Sequence, residues 1–444
     1  MAASTTPKSC FEKVLSPPPP FLISQRAQGT LAFPTFSSQL ADQLFNNLYD
    51  RDSNPKGVVQ LALSINQLME EEVLARVNQG HTLTLTPQHQ YYNNSSGLLE
   101  LRTALANFLT RHHKPSQAIS PDNLIVMNGV TACFDALSHA LCDPGDVVLT
   151  PTPVYARVYT NFRDRSGATV VPLPCPETDN FALQEGAMES LIKKHMEGGQ
   201  RVRVCVLLHP HNPLGRIYST QELQNILKLC AQYQIHVVID EIYAFSVHDE
   251  STEFNSVLGM ESVPDPDRTH VLWGFSKDFA LPGFRIGVIH TTNPWVLSCL
   301  RTLSHYHSSP PLTQHAAATL LNDVEWCDDF YIPTNKERLA ASYKKARECL
   351  EACGAKVHRS VAGIFLWVNF QAFLDECTEQ CEIDLFMAFL KGGVCILPGQ
   401  KLYCAHPGWY RIVYSARDDV LEEGLARIQA VLSQWKKNKK SETT

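Results

Sequence analysis

Short apolar runs alternate with longer helical patterns through most of the chain after residue 55. The runs that we predict as strands cover residues 124–127, 146–149, 202–208, 236–239 and 271–273. Consecutive apolar positions are typical of strands covered on both faces, and a helical pattern separates each run from the next. Ser219 and Glu222 fit a capping box at the start of one such helix. The pattern predicts an α/β fold with a mostly parallel sheet between helices.

The pattern changes near residue 325, which indicates a second structural unit. A long helical stretch at 333–352 precedes short apolar runs at 363–370 and 410–414 and a final helical pattern at 418–435. Residues 1–55 contain proline and serine with weak periodicity, which predicts a partly disordered arm. We therefore expect an arm (1–55), a large α/β domain (81–325) and a smaller α+β domain formed by residues 56–80 and 326–444.

Charge and composition exclude several classes of function. The chain has 38 Lys and Arg against 45 Asp and Glu, a net charge of −7, so it lacks the positive excess that nucleic-acid binding needs. No stretch reaches about 18 consecutive apolar residues, the length that a membrane-spanning helix would need. Prolines 17–20 stand where a signal peptide would need an apolar core. We expect a cytoplasmic protein without a nucleic-acid or membrane partner.

The 14 cysteines raise the question of disulfides or a metal site. With no secretory context, reduced thiols are the expectation. Cys349 and Cys353 share a helix face, as do Cys377 and Cys381, but neither pair has the spacing or the matching second pair of a zinc site. We predict that these four cysteines are buried or half-buried thiols, and we predict no metal site.

Polar residues follow several predicted strands at their carboxyl ends. They are Thr131, Asn212, Asp240, Ser276 and Lys277. Ligands of open α/β sheets bind at this edge. Asp240 comes directly after Val-Val-Ile, where an unpaired carboxylate is costly. It therefore needs a cationic partner, which a lysine on a neighbouring strand end or a bound cofactor could supply.

Four short segments of the chain stand out as motifs: GFSKDFALPGFRIG at 274–287, NPLG at 212–215, DEIY at 240–243 and GWYR at 408–411. They resemble the motifs of the fold type I aminotransferases of class I and II, which use pyridoxal 5′-phosphate (PLP). The resemblance covers nearly the whole chain after residue 55. It implies a large domain with a mostly parallel, seven-stranded type of sheet, a smaller α+β domain, an amino acid as small-molecule substrate and a homodimer.

Within this family the chain most resembles the 1-aminocyclopropane-1-carboxylate (ACC) synthases and their animal ACC-synthase-like relatives. The resemblance rests on Ser-Lys-Asp at 276–278, Leu-Pro-Gly-Phe-Arg at 281–285 and His-Pro-Gly-Trp-Tyr-Arg at 406–411. It implies a PLP-dependent transferase or lyase that acts on an α-amino acid.

The resemblance also implies catalytic roles. Lys277 would form the Schiff base with PLP and then move the Cα proton of the substrate. Asp240 would keep the pyridine nitrogen protonated, which makes the ring a better electron sink. Tyr243 and Asn212 would hydrogen-bond the 3′ oxygen of the ring. Arg411 would bind the substrate α-carboxylate through its planar guanidinium.

A second group of residues would hold the cofactor itself. Arg285 and the amides of Val130 and Thr131 at a helix N-terminus suit a phosphate. Ser276 and the Thr131 hydroxyl are further donors to it. Tyr155 matches the aromatic residue that stacks on the ring in this family.

Three positions depart from the ACC synthase pattern. Ile65 stands where that branch has a glutamate near the substrate, and Ser95 replaces a tyrosine that reaches toward the partner subunit. Gly274 stands where a serine often helps to hold the phosphate. We therefore rank aminotransferase or β/γ-eliminase activity above ACC synthesis. The alternative is a pseudoenzyme that retains PLP binding or serves as a binding module.

Overall fold

A seven-stranded sheet forms the centre of the molecule. The computed structural model describes residues 22–31, 40 and 45–442. From one edge to the other the strands are Leu124–Met127, Gly287–His290, Thr269–Gly274, His236–Asp240, Val202–Leu208, Val147–Thr152 and Thr169–Pro174. Gly287–His290 is antiparallel to both neighbours, and all other pairs are parallel. The predicted mostly parallel sheet is confirmed.

Apolar side chains cover both faces of this sheet, as the consecutive apolar runs predicted. In strand Val202–Leu208, Val204 and Val206 pack with helices on one face, while Cys205 and Leu207 pack with helices on the other. This alternation follows from the two-residue period of a strand. Two hydrophobic cores therefore flank the sheet, and its polar strand ends are left for a site.

Helices pack around the sheet. Five of them connect its strands: Val130–Leu141, Arg157–Arg163, Glu185–Glu197, Thr220–Gln232 and Phe275–Asp278. Helix Leu99–His113 precedes the first strand, and helices Pro294–Leu303 and Pro311–Asn322 follow the last. The predicted capping box is confirmed: Ser219 Oγ accepts from the Glu222 amide at 3.2 Å, and the Glu222 carboxylate accepts from the Ser219 amide at 2.7 Å.

A smaller antiparallel sheet lies in the C-terminal part of the chain. Its strands, in order, are Leu397–Pro398, Trp409–Val413, Phe365–Asn369 and Lys356–Val357. Helices Ile332–Ala352, Glu379–Lys391 and Asp418–Glu442 accompany it, and a π-helical segment, Glu325–Tyr331, leads into the first of these. The smaller α+β unit is thus present, and its exact limits stay a prediction.

The N-terminal part of the chain joins this smaller unit. Strand Val59–Gln60 pairs in parallel with Val394–Cys395, and helix Glu70–Val77 follows. Of the predicted arm, residues 22–31, 40 and 45–55 are described, and they include helix Gln25–Leu31. The rest of that predicted arm lies outside the described residues.

The thirteen cysteines in the described part of the chain are free thiols. Cys349, Cys353 and Cys381 are half-buried as predicted, but the prediction is wrong for Cys377, which is exposed. Within that part, no group of three or more His, Cys, Asp or Glu residues is arranged to hold a metal ion. No helix there is both long and apolar enough to cross a bilayer.

Candidate active site

One cavity of about 320 Å³ lies at the carboxyl ends of the central strands. Its lining includes all eleven residues predicted to bind cofactor or substrate or to act in catalysis: Ile65, Val130, Thr131, Tyr155, Asn212, Asp240, Tyr243, Ser276, Lys277, Arg285 and Arg411. It also includes residues that carried no predicted role: Ala62, Leu63, Ser64, Phe134, Leu208, Pro210, Ile242 and Pro282. The fold thus assembles residues from distant parts of the sequence in one place.

Asp240 is the last residue of a central strand and is only 5% exposed. Its Oδ1 accepts a hydrogen bond from the Ile242 amide at 3.1 Å. Burial raises the pKa of this carboxyl group to about 7, although the Ile242 amide and the charge of Lys277 act in the opposite direction. A cation placed against Asp240 would favour its ionised form. The carboxyl group is therefore suited to a protonated ring nitrogen.

Lys277 lies in the short helix Phe275–Asp278, directly after a central strand. Its Nζ donates a hydrogen bond to the backbone oxygen of Ser64. Burial lowers the pKa of the amine to about 8, and the charge of Arg411 acts in the same direction. A substantial share of the amine is therefore neutral near physiological pH, as a nucleophile or base requires.

Asp278 anchors the helix that carries this lysine, a role that the sequence did not predict. Its buried carboxylate accepts hydrogen bonds from the Phe245 amide at 3.1 Å, Ser246 Oγ at 2.6 Å and Trp273 Nε1 at 3.0 Å. The Tyr331 hydroxyl donates to its backbone oxygen at 3.0 Å. Three segments of the chain are thus held to the reactive helix. The sequence feature that could have indicated this role is the position of Asp278 directly after Lys277 in the motif.

Arg411 enters the cavity from the smaller sheet and is 4% exposed. Its Nη1 donates to Asn212 Oδ1 at 3.0 Å, and its Nη2 donates to the Ala62 backbone oxygen at 2.7 Å. The guanidinium lies over the Phe365 ring, 5.4 Å from its centroid. Its Nε is buried without a partner. An unpaired buried donor is costly, so a carboxylate ligand here would satisfy it.

Tyr243 and Tyr155 supply phenol groups to the same cavity. Tyr243 is buried and packs edge-on against Phe365, with ring centroids 5.3 Å apart. Burial raises the pKa of both phenols. Both hydroxyls are therefore protonated near neutral pH and able to donate hydrogen bonds.

A site suited to an anion lies where helix Val130–Leu141 begins. Gly129 precedes the helix with φ of 99°. A Cβ at this position would lie 2.3 Å from Arg285 Nη2, so the glycine makes room for the guanidinium. That group also donates to the Asn128 and Pro282 backbone oxygens, both at 3.0 Å. Helix amides and a guanidinium side by side suit a phosphate.

Gly274 has a steric explanation. A Cβ at this position would lie 2.6 Å from the backbone oxygen of Ile286 and 3.3 Å from Val130 Cγ2. A serine would therefore require the neighbouring strand to move. Ser276, two residues later, lines the cavity instead.

Ser95 lies outside the cavity of its own chain. Its Oγ accepts a hydrogen bond from Ser304 Oγ at 3.0 Å, and it lines a separate cleft with Arg102 and Arg301. Tyr91 and Tyr92 are strongly exposed. Neither Tyr91 nor Tyr92 lines the candidate active-site cavity of this chain.

Comparison with known proteins identifies the family. The family model for class I and II aminotransferases matches residues 58–428. The chain is 36% identical over 390 residues to mouse "1-aminocyclopropane-1-carboxylate synthase-like protein 1", covering 86% of this chain and 78% of the relative. It is 32% identical to mouse "probable inactive" ACC synthase-like protein 2 (92% and 71%). It is also 32% identical to ACC synthase 7 of Arabidopsis thaliana (86% and 88%).

Solved structures show the same fold. A mutant aspartate aminotransferase from Thermus thermophilus matches with a TM-score of 0.75 and 22% identity, covering 92% of this chain and 99% of that one. N-succinyldiaminopimelate aminotransferase from Mycobacterium tuberculosis matches with a TM-score of 0.75 and 21% identity, covering 92% and 100%. The overall architecture is therefore that of an aminotransferase.

PLP is the cofactor of this family, and the donor set of the cavity fits it. A buried carboxyl group, an amine of lowered pKa and a guanidinium beside a helix N-terminus match a ring nitrogen, an aldehyde and a phosphate. The space that Gly129 leaves for Arg285 is part of this fit. The chain therefore belongs to the PLP-dependent aminotransferases of class I and II, in the branch of the ACC synthases and ACC-synthase-like proteins.

Proposed function

We propose that this chain is a PLP-dependent enzyme that removes the Cα proton of an α-amino acid and acts as an aminotransferase or as a β/γ-eliminase. The observation that carries the proposal is that the amine of Lys277, the carboxyl group of Asp240 and the guanidinium of Arg411 line one cavity. These groups are the base, the ring-nitrogen partner and the carboxylate ligand that such a reaction needs.

Bound PLP supplies an electron sink for negative charge that develops at Cα. Asp240 would hold the proton at the ring nitrogen, because its ionised form gains a cationic partner there. Tyr243 and the amide nitrogen of Asn212 would donate hydrogen bonds to the ring oxygen, and Tyr155 would cover one face of the ring.

The phosphate would be held by residues around the start of helix Val130–Leu141. The amides of Val130 and Thr131, the Ser276 hydroxyl and the Arg285 guanidinium all line the cavity. Their donors and positive charge would fix the cofactor on the large sheet.

Lys277 would carry the proton. Its amine has a pKa lowered to about 8, so it can accept a proton at Cα and return it to a neighbouring atom. Arg411 would bind the α-carboxylate through its partnerless Nε and its Nη atoms. Holding the carboxylate would orient Cα toward the amine of Lys277. The two reacting groups would then be held together and would not depend on a chance encounter.

ACC synthesis ranks below transamination and elimination, because Ile65 stands in place of a glutamate and Ser95 in place of a tyrosine. The pseudoenzyme is the alternative, since one mouse relative is described as probably inactive. The presence of all six polar groups in one cavity favours an enzyme: Asn212, Asp240, Tyr243, Lys277, Arg285 and Arg411.

We further propose a homodimer. The support is the family membership, together with the exposed tyrosines Tyr91 and Tyr92 on the segment next to Ser95. Cytoplasmic location stays a prediction of the sequence.

The proposed reaction is tested by adding a panel of amino acids to the PLP-loaded protein while recording its visible spectrum. Wild type should respond and form a 2-oxo acid, while Lys277→Ala should not. Lys344→Ala, at an exposed lysine, should behave as wild type. A loaded wild type that responds to no amino acid would support the pseudoenzyme. Rapid formation of ACC from S-adenosylmethionine would overturn the ranking of activities.

A further inference from the structure

Residues 62–65 form a wall of the cavity between the proposed carboxylate ligand and the proposed base. The backbone oxygen of Ala62 accepts from Arg411 Nη2 at 2.7 Å, and that of Ser64 accepts from the Lys277 amine. The wall therefore touches both groups that would hold a substrate. These contacts use backbone oxygens, so the side chains of the wall remain free to contact a ligand.

Ile65 lies at the end of this wall. Its backbone oxygen accepts from Ser415 Oγ at 2.8 Å, and its amide donates to the Leu63 backbone oxygen at 2.9 Å. The backbone oxygen and amide of Ile65 are thus both hydrogen-bonded. Its side chain lines the cavity, and the residue is 41% exposed. An apolar ligand group that covered this surface would remove it from water, which is favourable.

The charges of the cavity are already assigned. Among the described residues that line it, the ionisable groups of acidic or basic residues are Asp240, Lys277, Arg285 and Arg411. Under the proposed function these serve the ring nitrogen, the Cα proton, the phosphate and the α-carboxylate. No carboxylate of this lining is left for a cationic side chain, and no cation is left for an acidic one.

We infer that the site selects amino acids with an uncharged, largely apolar side chain, and that Ile65 is the residue that determines this selection. The inference rests on the proposed function, because it takes Arg411 as the carboxylate ligand and Lys277 as the base at Cα. With the α-carboxylate at Arg411 and the Cα hydrogen at Lys277, the side chain would lie against the wall that contacts both groups.

Charged side chains are disfavoured for a physical reason. A carboxylate, an ammonium or the sulfonium of S-adenosylmethionine would lose water against Leu63 and Ile65 without gaining an opposite charge from the described residues of this chain that line the cavity. Apolar side chains gain instead, and a methylene in an apolar pocket is worth roughly tenfold or more in discrimination. Ile65→Glu would reverse this preference by placing an anion at the same point.

The test measures dissociation constants for a series of ligands with PLP-loaded wild type, Ile65→Glu and Leu74→Glu, by calorimetry and by the visible spectrum. The ligands are L-alanine, L-2-aminobutyrate, L-norvaline, L-norleucine, L-aspartate, L-lysine and S-adenosylmethionine. Leu74 is exposed on helix Glu70–Val77, outside this cavity, so its variant adds the same charge elsewhere.

In wild type and in Leu74→Glu, affinity should rise by about tenfold or more for each methylene added from alanine to norleucine, and it should exceed the affinity for the charged ligands. Ile65→Glu should lose at least about tenfold for norleucine and gain for lysine and S-adenosylmethionine. A wild type that prefers charged ligands, or an Ile65→Glu variant with unchanged order, would overturn the inference and leave the proposed function standing. If no amino acid binds, both fail.

Discussion

Nη1 of Arg411 donates a 3.0 Å hydrogen bond to Oδ1 of Asn212. The bond joins strand Trp409–Val413 of the smaller sheet to the loop after strand Val202–Leu208 of the central sheet. It also engages the acceptor of the Asn212 amide, which leaves the amide nitrogen as the donor group of this residue. The proposed substrate ligand and the proposed cofactor ligand thus orient each other.

Replacing Arg411 by lysine tests this planar arrangement. Lysine retains the charge but cannot donate to Asn212, to Ala62 and to a carboxylate in the same fixed geometry. We expect KM for amino acids to rise by about ten- to a hundredfold, the equivalent of one charged hydrogen bond, with a smaller change in kcat. Steady-state kinetics measure both. An unchanged KM would show that the substrate carboxylate binds elsewhere.

The pKa of Lys277 predicts how the cofactor-free protein captures PLP. Burial, and after it the charge of Arg411, lowers this pKa to about 8. The reactive neutral amine therefore increases as pH rises through about 8, and the capture rate should increase with it. Stopped-flow absorbance at several pH values gives the midpoint. A midpoint near the ordinary lysine value would contradict the account.

Arg411→Gln should move that midpoint to higher pH. Removing the guanidinium removes a positive charge that disfavours the protonated amine, so the pKa of Lys277 rises and the amine stays protonated to higher pH. Arg417→Gln, at an exposed arginine near the same strand, is the matched control and should leave the midpoint in place. Equal shifts of the midpoint in the two variants would mean that the proximity of Arg411 to Lys277 does not cause the lowered pKa.

Asp278→Ala should destabilise the protein. The change leaves the Phe245 amide, the Ser246 hydroxyl and the Trp273 indole without their acceptor in the interior. We expect a loss of about 3 kcal/mol or more in the free energy of unfolding, measured by urea denaturation. Asp278→Asn retains an acceptor and should lose less. The exposed Asp267→Ala should change stability by no more than about 0.5 kcal/mol.

Gly274→Ser tests whether the glycine is a steric requirement. Since a Cβ would lie 2.6 Å from the Ile286 backbone oxygen, the serine should cost about 1–3 kcal/mol of stability and weaken PLP binding. Gly186→Ser, where a Cβ would meet nothing within 4 Å, should be nearly neutral. Tighter PLP binding by Gly274→Ser would show that the serine fits and contacts the phosphate.

Local pattern was sufficient for the parts of the fold that are buried on both sides. Asp240 was predicted at the end of a buried strand because three apolar residues precede it, and it is the last residue of His236–Asp240. Two strands of the central sheet were missed. Thr169–Pro174 is a partly exposed edge strand with two prolines, and Gly287–His290 has aliphatic residues only at its two middle positions. Neither has the long apolar run that marks an inner strand.

Residues of the site that are far apart in the sequence could be predicted only where a known motif marked them. The hydrogen bond from Lys277 to Ser64 joins residues 213 positions apart, and periodicity carries no information on such a contact. Of the three donors to Asp278, the consecutive residues Phe245 and Ser246 belong to one distant turn, and Trp273 belongs to the preceding strand. Ser64 and Asp278 were visible in the sequence. The Ser64 contact depends on how the smaller unit packs against the central sheet, and the Asp278 contacts depend on how the turn at 245–246 packs beside strand Thr269–Gly274.

Exchange of the Cα hydrogen in D₂O tests the central claim most directly. The PLP-loaded protein is mixed with L-norvaline, and proton NMR follows loss of the Cα–H signal. Wild type should exchange it, and Lys277→Ala should be slower by at least about a hundredfold, the usual contribution of a general base. Exchange by Lys277→Ala at the wild-type rate, or no exchange by wild type with any amino acid, would contradict the assignment of Lys277 as the base.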